Sequence, residues 1–258
     1  MSYLEEVFGV GGKTALVTGG ATGIGAAITD ALLAAGAEVV VNGRNAKRLD
    51  TFAGDRAACT PLAFDVTDER ATEDAMDRAF AAGPVSILVL NAGQAETAPV
   101  KRTELDQWER MLAVNLTGPF LCARAFLRRA DATAPGRVVT VASTAALKGY
   151  AFTAAYAAAK HGALGMTRSL ALELAKTAIT ANCVCPGFTR TDIVADSVRT
   201  IVAKTGRTKA AAEAELTRFN PQGRLVEPEE VAAAVLALCG EHAGAINGQA
   251  VAVDGGET

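Results

Sequence analysis

The chain has 258 residues, of which 50% are hydrophobic and 21% charged, with a formal net charge of -3. So much apolar content argues against disorder. No apolar run of about 18 residues is free of Gly, Asn or Pro, so no membrane span is predicted, and without a polybasic run nucleic acid is not an expected partner. A soluble globular chain remains, rich in Gly (25 residues) and poor in aromatics (5%), a composition that suits helices lying close on a sheet.

Short β-branched runs alternate with Ala-rich stretches along the whole chain. Strands are predicted at residues 14–19, 38–42, 61–65, 86–90, 137–142, 179–185 and 249–253. Helices are predicted at 24–35, 46–52, 69–82, 104–129, 156–176, 198–218 and 229–238. Gly118-Pro119 divides the helix at 104–129 into two pieces. The strands are apolar throughout rather than alternating, so both sheet faces are covered. Strand–helix alternation then gives an α/β doubly wound parallel sheet in a single domain, 1–258. In such a sheet the ligand lies beyond the carboxyl ends of the strands.

Cys59, Cys122, Cys183, Cys185 and Cys239 are scattered and odd in number. They read as reduced thiols, and a Cys-x-Cys pair without His or a second pair predicts no metal site. The first ten residues carry two acids and no cationic stretch, which predicts no signal peptide and a cytoplasmic protein.

The first strand runs into Thr18-Gly19-Gly20-Ala21-Thr22-Gly23-Ile24-Gly25, and a helix follows directly. Gly19 permits a tight turn, Gly23 admits a pyrophosphate to the backbone N–H groups, and Gly25 lets the helix pack close. The helix N-terminus adds the positive end of its dipole. The second strand ends in Val41-Asn42-Gly43-Arg44-Asn45, without the acid that holds a ribose 2′-hydroxyl. The Arg44 guanidinium matches a 2′-phosphate, so NADP(H) is favoured over NAD(H). Asp65, followed by Val66, stands where it can accept from an adenine amino group, and Asn91-Ala92-Gly93 lets a cofactor pass close to the fourth strand.

Tyr156 and Lys160 are spaced i, i+4 on one helix face, with Cβ atoms about 6 Å apart. A neighbouring ammonium stabilises a phenolate, which predicts a lowered Tyr156 pKa and an acid/base usable near neutral pH. Ser143 ends the fifth strand and can hold a carbonyl or alkoxide oxygen. Asn115 is placed to hold a water linking Lys160 to solvent.

In these motifs, together with Pro186-Gly187, the chain resembles the short-chain dehydrogenases/reductases along essentially its whole length. The resemblance implies a single-domain Rossmann fold of about seven strands and a tetrad of Asn115, Ser143, Tyr156 and Lys160. In it Tyr156 moves the proton, Ser143 orients the substrate oxygen, Lys160 binds the nicotinamide ribose and Asn115 keeps the relay water. It also implies cofactor contacts from Gly19, Thr22, Gly23, Ile24, Gly25, Val66, Asn91, Ala92 and Gly93, and from Pro186, Gly187, Thr189 and Thr191 around the carboxamide. The family's common Tyr-Ser-Ala-Ser-Lys is here Tyr-Ala-Ala-Ala-Lys, and residues 21 and 22 lack the basic side chain of some NADP-dependent members.

The resemblance places a substrate lid at about residues 189–222, carrying Arg190, Arg199, Lys204, Arg207 and Lys209. These cations are either ordinary solvated charges or contacts for coenzyme A or an acyl carrier protein. The runs 185–191 and 220–225 look like those of 3-oxoacyl-thioester and polyketide ketoreductases, so the expected reaction is NADP(H)-dependent reduction of a 3-oxoacyl thioester. The alternatives are a dehydrogenase of another secondary alcohol (3-hydroxybutyrate, a steroid or a sugar derivative) and a non-catalytic NADP-binding sensor. The complete tetrad argues against the sensor. The resemblance also implies a homotetramer, joined through the helices of Asn115 and Tyr156 and the last strand.

Overall fold

A computed structural model describes residues 7–258; the first six residues of the segment read for a signal peptide lie outside the described residues. Seven parallel strands form one sheet: β1 (Thr14–Val17), β2 (Glu38–Gly43), β3 (Cys59–Ala63), β4 (Val85–Leu90), β5 (Gly136–Val141), β6 (Ile179–Pro186) and β7 (Ala250–Val253). Their spatial order is β3-β2-β1-β4-β5-β6-β7. The order reverses between β1 and β4, which opens a crevice at their carboxyl ends.

Successive residues of each strand enter different cores, and that is why the strands read as continuous apolar runs. Leu16, Leu88, Leu90 and Val138 face one side, with Met76 and Phe126. Val17, Ile87, Val89 and Val139 face the other, with Ile28, Leu32 and Val235. The first side is covered by α3 (Glu69–Ala81), α5 (Gly118–Leu127) and α6 (Ala154–Glu173). The second is covered by α1 (Gly23–Ala34) and α9 (Pro228–Cys239). The remaining helices are α2 (Ala46–Gly54), α4 (Leu105–Leu112), α7 (Asp192–Thr205) and α8 (Lys209–Thr217).

Three elements depart from the sequence expectation. The third strand ends at Ala63, because Asp65 Oδ1 accepts from Thr67 N at 2.9 Å and turns the chain. The helix expected at 198–218 begins at Asp192 and is two helices. Gly206 stops α7 in the left-handed conformation (φ +69), and the Thr208 hydroxyl caps α8 by accepting from Ala211 N. Between α4 and α5 the irregularity is not at Gly118-Pro119. Residues Ala113–Thr117 form a π-turn, and Pro119 sits in the first turn of α5, where its missing N–H costs nothing.

Among the described residues no helix is long and apolar enough to cross a membrane. All five cysteines are free, and four of them are buried.

Candidate active site

The loop after β1 is held from behind. Thr18 Oγ1 donates to Val89 O (3.2 Å) and accepts from the backbone N–H groups of Asn91 (2.9 Å) and Ala92 (3.0 Å). Asn91 Nδ2 donates to Thr18 O (3.0 Å) and Gly19 O (3.1 Å). Asn91 thus ties β4 to the glycine loop and does not line the cleft, which Ala92 and Gly93 do. A Cβ on Gly25 would overlap the Gly19 carbonyl oxygen, so only glycine brings α1 this close. Gly19 has φ +62, which a larger residue adopts only with strain. Thr22 stands at the N-cap of α1 with no side-chain capping bond, so its hydroxyl is available to a phosphate oxygen.

An open cleft of about 720 Å³ runs from this loop across the ends of β2 and β3 to Gly93 and Val114. Asn42, buried, crosses three strand ends: Nδ2 donates to Leu62 O (3.3 Å) and Phe64 O (3.0 Å), and Oδ1 accepts from Gly19 N (3.4 Å). Arg44 lines the cleft and is exposed. Arg48, one turn into α2, lines it too, and neither guanidinium has an ion-pair partner among the described residues. Sequence reasoning missed Arg48 because a Lys/Arg in the first turn of a polar helix reads as a solvated charge. Asp65 and Val66 line the same cleft; Asp65 Oδ1 is engaged by Thr67, which leaves Oδ2 to accept from a ligand. These groups fit a dinucleotide: a glycine cradle, free N–H groups at a helix start, unpaired cations and a free carboxylate oxygen along one cleft.

Ser143, Tyr156, Lys160 and Asn115 converge beyond β4 and β5. Ser143 follows β5 and its Oγ accepts from Ala145 N at 3.1 Å. Tyr156 and Lys160 lie in the first two turns of α6, with Lys160 Nζ 5.8 Å from the Tyr156 ring centroid. Lys160 is buried and donates to Val141 O at 3.0 Å. Asn115 is fully buried in the π-turn; Nδ2 donates to Gln94 O (2.9 Å) and Met111 O (3.1 Å), and Oδ1 accepts from Gln94 N (3.3 Å). A Cβ on Gly93 would lie 2.9 Å from Asn115 Oδ1 and 3.6 Å from Lys160 Nζ, so this glycine leaves the space that both side chains face. Gln94, whose backbone holds Asn115 on both sides, carries no sequence signal of that role.

One electrostatic expectation is corrected. Tyr156 is not lowered by Lys160: burial pushes the phenol up, and a hydrogen bond from Ser143 opposes that shift. Lys160 is itself lowered to about 8, because burial disfavours its ammonium. The ammonium is aimed at the Val141 carbonyl rather than at the phenol oxygen.

Past β6, Gly187 N donates to Val253 O at 3.0 Å, and Thr189 pairs with Val226 in an isolated bridge. Thr191 stands at the N-cap position of α7 without a side-chain capping bond and packs across from Gly23, its Cγ2 3.1 Å from where a Cβ there would sit. Thr191 therefore faces the glycine loop from the far side of the crevice, with Pro186, Gly187 and Thr189 leading up to it. Three of the five lid cations are already paired. Arg190 binds Glu227 (2.9 Å) and Glu213 (3.4 Å), Arg199 binds Asp196, and Arg207 binds Glu215 (3.2 Å). Lys209 is exposed, and the Lys204 side chain lies outside the described residues.

The family model for short chain dehydrogenases matches residues 13–201. The chain is 38% identical over 251 residues to the D-beta-hydroxybutyrate dehydrogenase of Cupriavidus necator, covering 95% of this chain and 97% of that one. It is 36% identical over 249 residues to the 3-oxoacyl-acyl-carrier-protein reductase of Salmonella typhimurium, again covering 95% and 97%. The crystal structure of an actinorhodin polyketide ketoreductase variant with NADPH matches at a TM-score of 0.89 and 34% identity, over 95% of this chain and 97% of that one. With the family model spanning most of the chain and relatives aligned nearly end to end, the chain belongs to the short-chain dehydrogenase family, oxidoreductases that interconvert secondary alcohols and ketones with a nicotinamide cofactor.

Proposed function

We propose that the chain is an NADP(H)-dependent reductase of 3-oxoacyl thioesters, with Asn115, Ser143, Tyr156 and Lys160 as its reactive set. The observation that carries this reading is the linked geometry of the set: Asn115 and Lys160 face the space beside Gly93, the Tyr156 ring lies beside Lys160, and Ser143 hydrogen-bonds Tyr156. The bound cofactor supplies a hydride to the ketone carbon. Tyr156, kept protonated by burial, gives its proton to the ketone oxygen, and the Ser143 hydroxyl holds that oxygen by a hydrogen bond. Lys160 holds the ribose of the cofactor and lends its positive charge to the site. Asn115, fixed by Gln94, orients the water through which Tyr156 regains its proton.

The choice of NADP(H) rests on Arg44 and Arg48. Arg44 follows β2 where an acid would select NAD(H), and Arg48 lines the same cleft; both guanidiniums are exposed and without ion-pair partners among the described residues. The ketoreductase of matching fold was crystallised with NADPH. Arg44→Asp is expected to weaken NADPH about 30-fold more than NADH in fluorescence titrations, the loss of a charge-assisted contact. Equal loss for both cofactors would remove the 2′-phosphate role.

For the substrate, the two curated relatives are named for a 3-hydroxyacid and for 3-oxoacyl chains, so a 3-oxo acyl unit is their shared feature. The lid, residues 189–222, covers the substrate end. With Arg190, Arg199 and Arg207 engaged within the protein, Lys209 is, of these cations and among the described residues, the exposed one left to meet a carrier. An NADPH-oxidation screen across acetoacetyl-coenzyme A, neutral 3-oxo esters and free acetoacetate tests the reading. The thioester is expected to be far better than the acid; the reverse order would overturn it.

The protein is further proposed to be a homotetramer. Leu105, Trp108, Phe120 and Leu172 put apolar surface on α4, α5 and α6, the helices flanking Asn115 and Tyr156. Light scattering on the purified protein gives the mass directly.

A further inference from the structure

Between the Ser143 loop and the lid lies a buried carboxylate that the proposed chemistry does not use. Glu257, in the segment after β7, has a side chain 1% exposed. Lys148 Nζ stands 3.0 Å from its Oε1, and the Tyr150 hydroxyl donates to the same oxygen. Among the described residues Oε2 has no hydrogen-bond partner, and it lies 3.5 Å from where a Cβ on Gly187 would be. The segment is well anchored. Asp254 accepts from Gly256 N (2.9 Å), Thr258 N (3.0 Å) and Thr258 Oγ1 (2.6 Å), and Gly255 abuts the Asn220 side chain at the end of the lid.

What this carboxylate holds is Tyr150. The tyrosine lies midway along the sequence between Ser143 and Tyr156, and its hydroxyl also hydrogen-bonds Thr144 Oγ1, next to Ser143, at 2.6 Å. Its ring meets Phe188 and Phe219 edge-on, with centroids 6.0 and 5.5 Å away, and those two rings stack at 5.7 Å. The three rings come from the Ser143 loop, the segment after β6 and the end of the lid, and all remain partly exposed. Burial and the Glu257 hydrogen bond both push the Tyr150 phenol up, so it stays protonated and a hydrogen-bond donor.

We propose that Glu257 is a positioning residue that fixes Tyr150, and that Tyr150, Phe188 and Phe219 form a wall selecting uncharged aryl ketones over free carboxylic acids. The proposal rests on the reading of Ser143 and Tyr156 as the reducing end. Aromatic faces favour a flat apolar group. A substrate carboxylate would lose hydration against the rings, and the cation beside them, Lys148, is already engaged by Glu257.

Ethyl benzoylacetate, ethyl acetoacetate and acetoacetate test it. The aryl ester is expected to have a KM about ten-fold below that of ethyl acetoacetate, with acetoacetate the poorest. Tyr150→Phe keeps the ring and loses the link; Glu257→Met, which has no oxygen to accept, breaks the link from the other side. Each is expected to raise KM for the aryl ester about five-fold with kcat within about two-fold, and the double variant to be no worse than either alone. Calorimetric binding of the aryl ester to enzyme loaded with NADP+ reports on the wall without turnover. Unchanged KM and Kd in both variants, additive effects, or acetoacetate favoured over the aryl ester would overturn the proposal. If melting shows Glu257→Met to be unfolded, Tyr150→Phe decides alone. Wild-type binding that responds to the variants without any turnover would support the wall and overturn the reductase reading. Normal turnover with unresponsive variants would do the opposite.

Discussion

The loop at the end of β1 and the lid after β6 face each other across the crevice and are built on opposite rules. In the loop there is no slack: Thr18 and Asn91 spend their hydrogen bonds on backbone, and Gly25 has the Gly19 carbonyl where its side chain would be. The lid instead carries a small core of its own, Val194, Val198, Ala212, Leu216 and Leu225, and turns its charges outward in pairs. The loop therefore admits one ligand shape, whereas the lid can change its surface without touching the sheet. A family can share one cofactor and differ in substrates because the two demands fall on regions with such different tolerance.

Four perturbations sharpen or break that contrast. Tyr156→Phe, at the meeting point of the two regions, is expected to lower ketone reduction by about three orders of magnitude while leaving cofactor binding intact. Turnover followed by NADPH absorbance and binding by fluorescence would separate the two effects. Gly25→Ala should strike the loop side alone: its methyl meets backbone, so about 3 kcal/mol of stability is lost together with cofactor affinity. A melt like that of the wild type would show that the loop has slack after all.

The third perturbation is pH. Lys160 is held at about 8 in the fold, below its unfolded value, so between there and the ordinary lysine range the unfolded chain binds more protons. Stability is expected to rise with pH across that window, while cofactor affinity falls as the ammonium is lost. Urea unfolding on either side of about pH 8, with Lys160→Met as the control lacking the slope, checks the sign. The smallest effect belongs to the lid: Arg190→Ala removes exposed ion pairs and should cost less than about 1 kcal/mol. A loss as large as that of Gly25→Ala would erase the distinction between the regions.

The sheet was legible because periodicity and turn chemistry are local. Each of the seven predicted strands has its counterpart, and the glycine loop opens a helix where its spacing demanded one. What escaped depends on contacts between distant residues or on competition at one position. The end of β3 was decided by the Asp65 side chain turning on Thr67. Residues 198–218 read as one helix in the sequence because Gly206 inside an otherwise helical run leaves break and continuation both open. The opposite shift of Tyr156 follows from burial, which no spacing reveals. Glu257 reaches Tyr150 from 107 residues away and has no motif around it.

The π-turn at Ala113–Thr117 carries a consequence for how this enzyme could be altered. A turn with one residue too many is an insertion preserved in a helix, and it rotates every side chain after it by about a quarter turn relative to a regular helix. Deleting one residue there would restore ordinary geometry between α4 and α5 and swing Asn115 off its partner Gln94. The shortened protein should melt later and turn over more slowly. At this one position thermal robustness and turnover pull in opposite directions, so selection for heat resistance alone would drive the activity out.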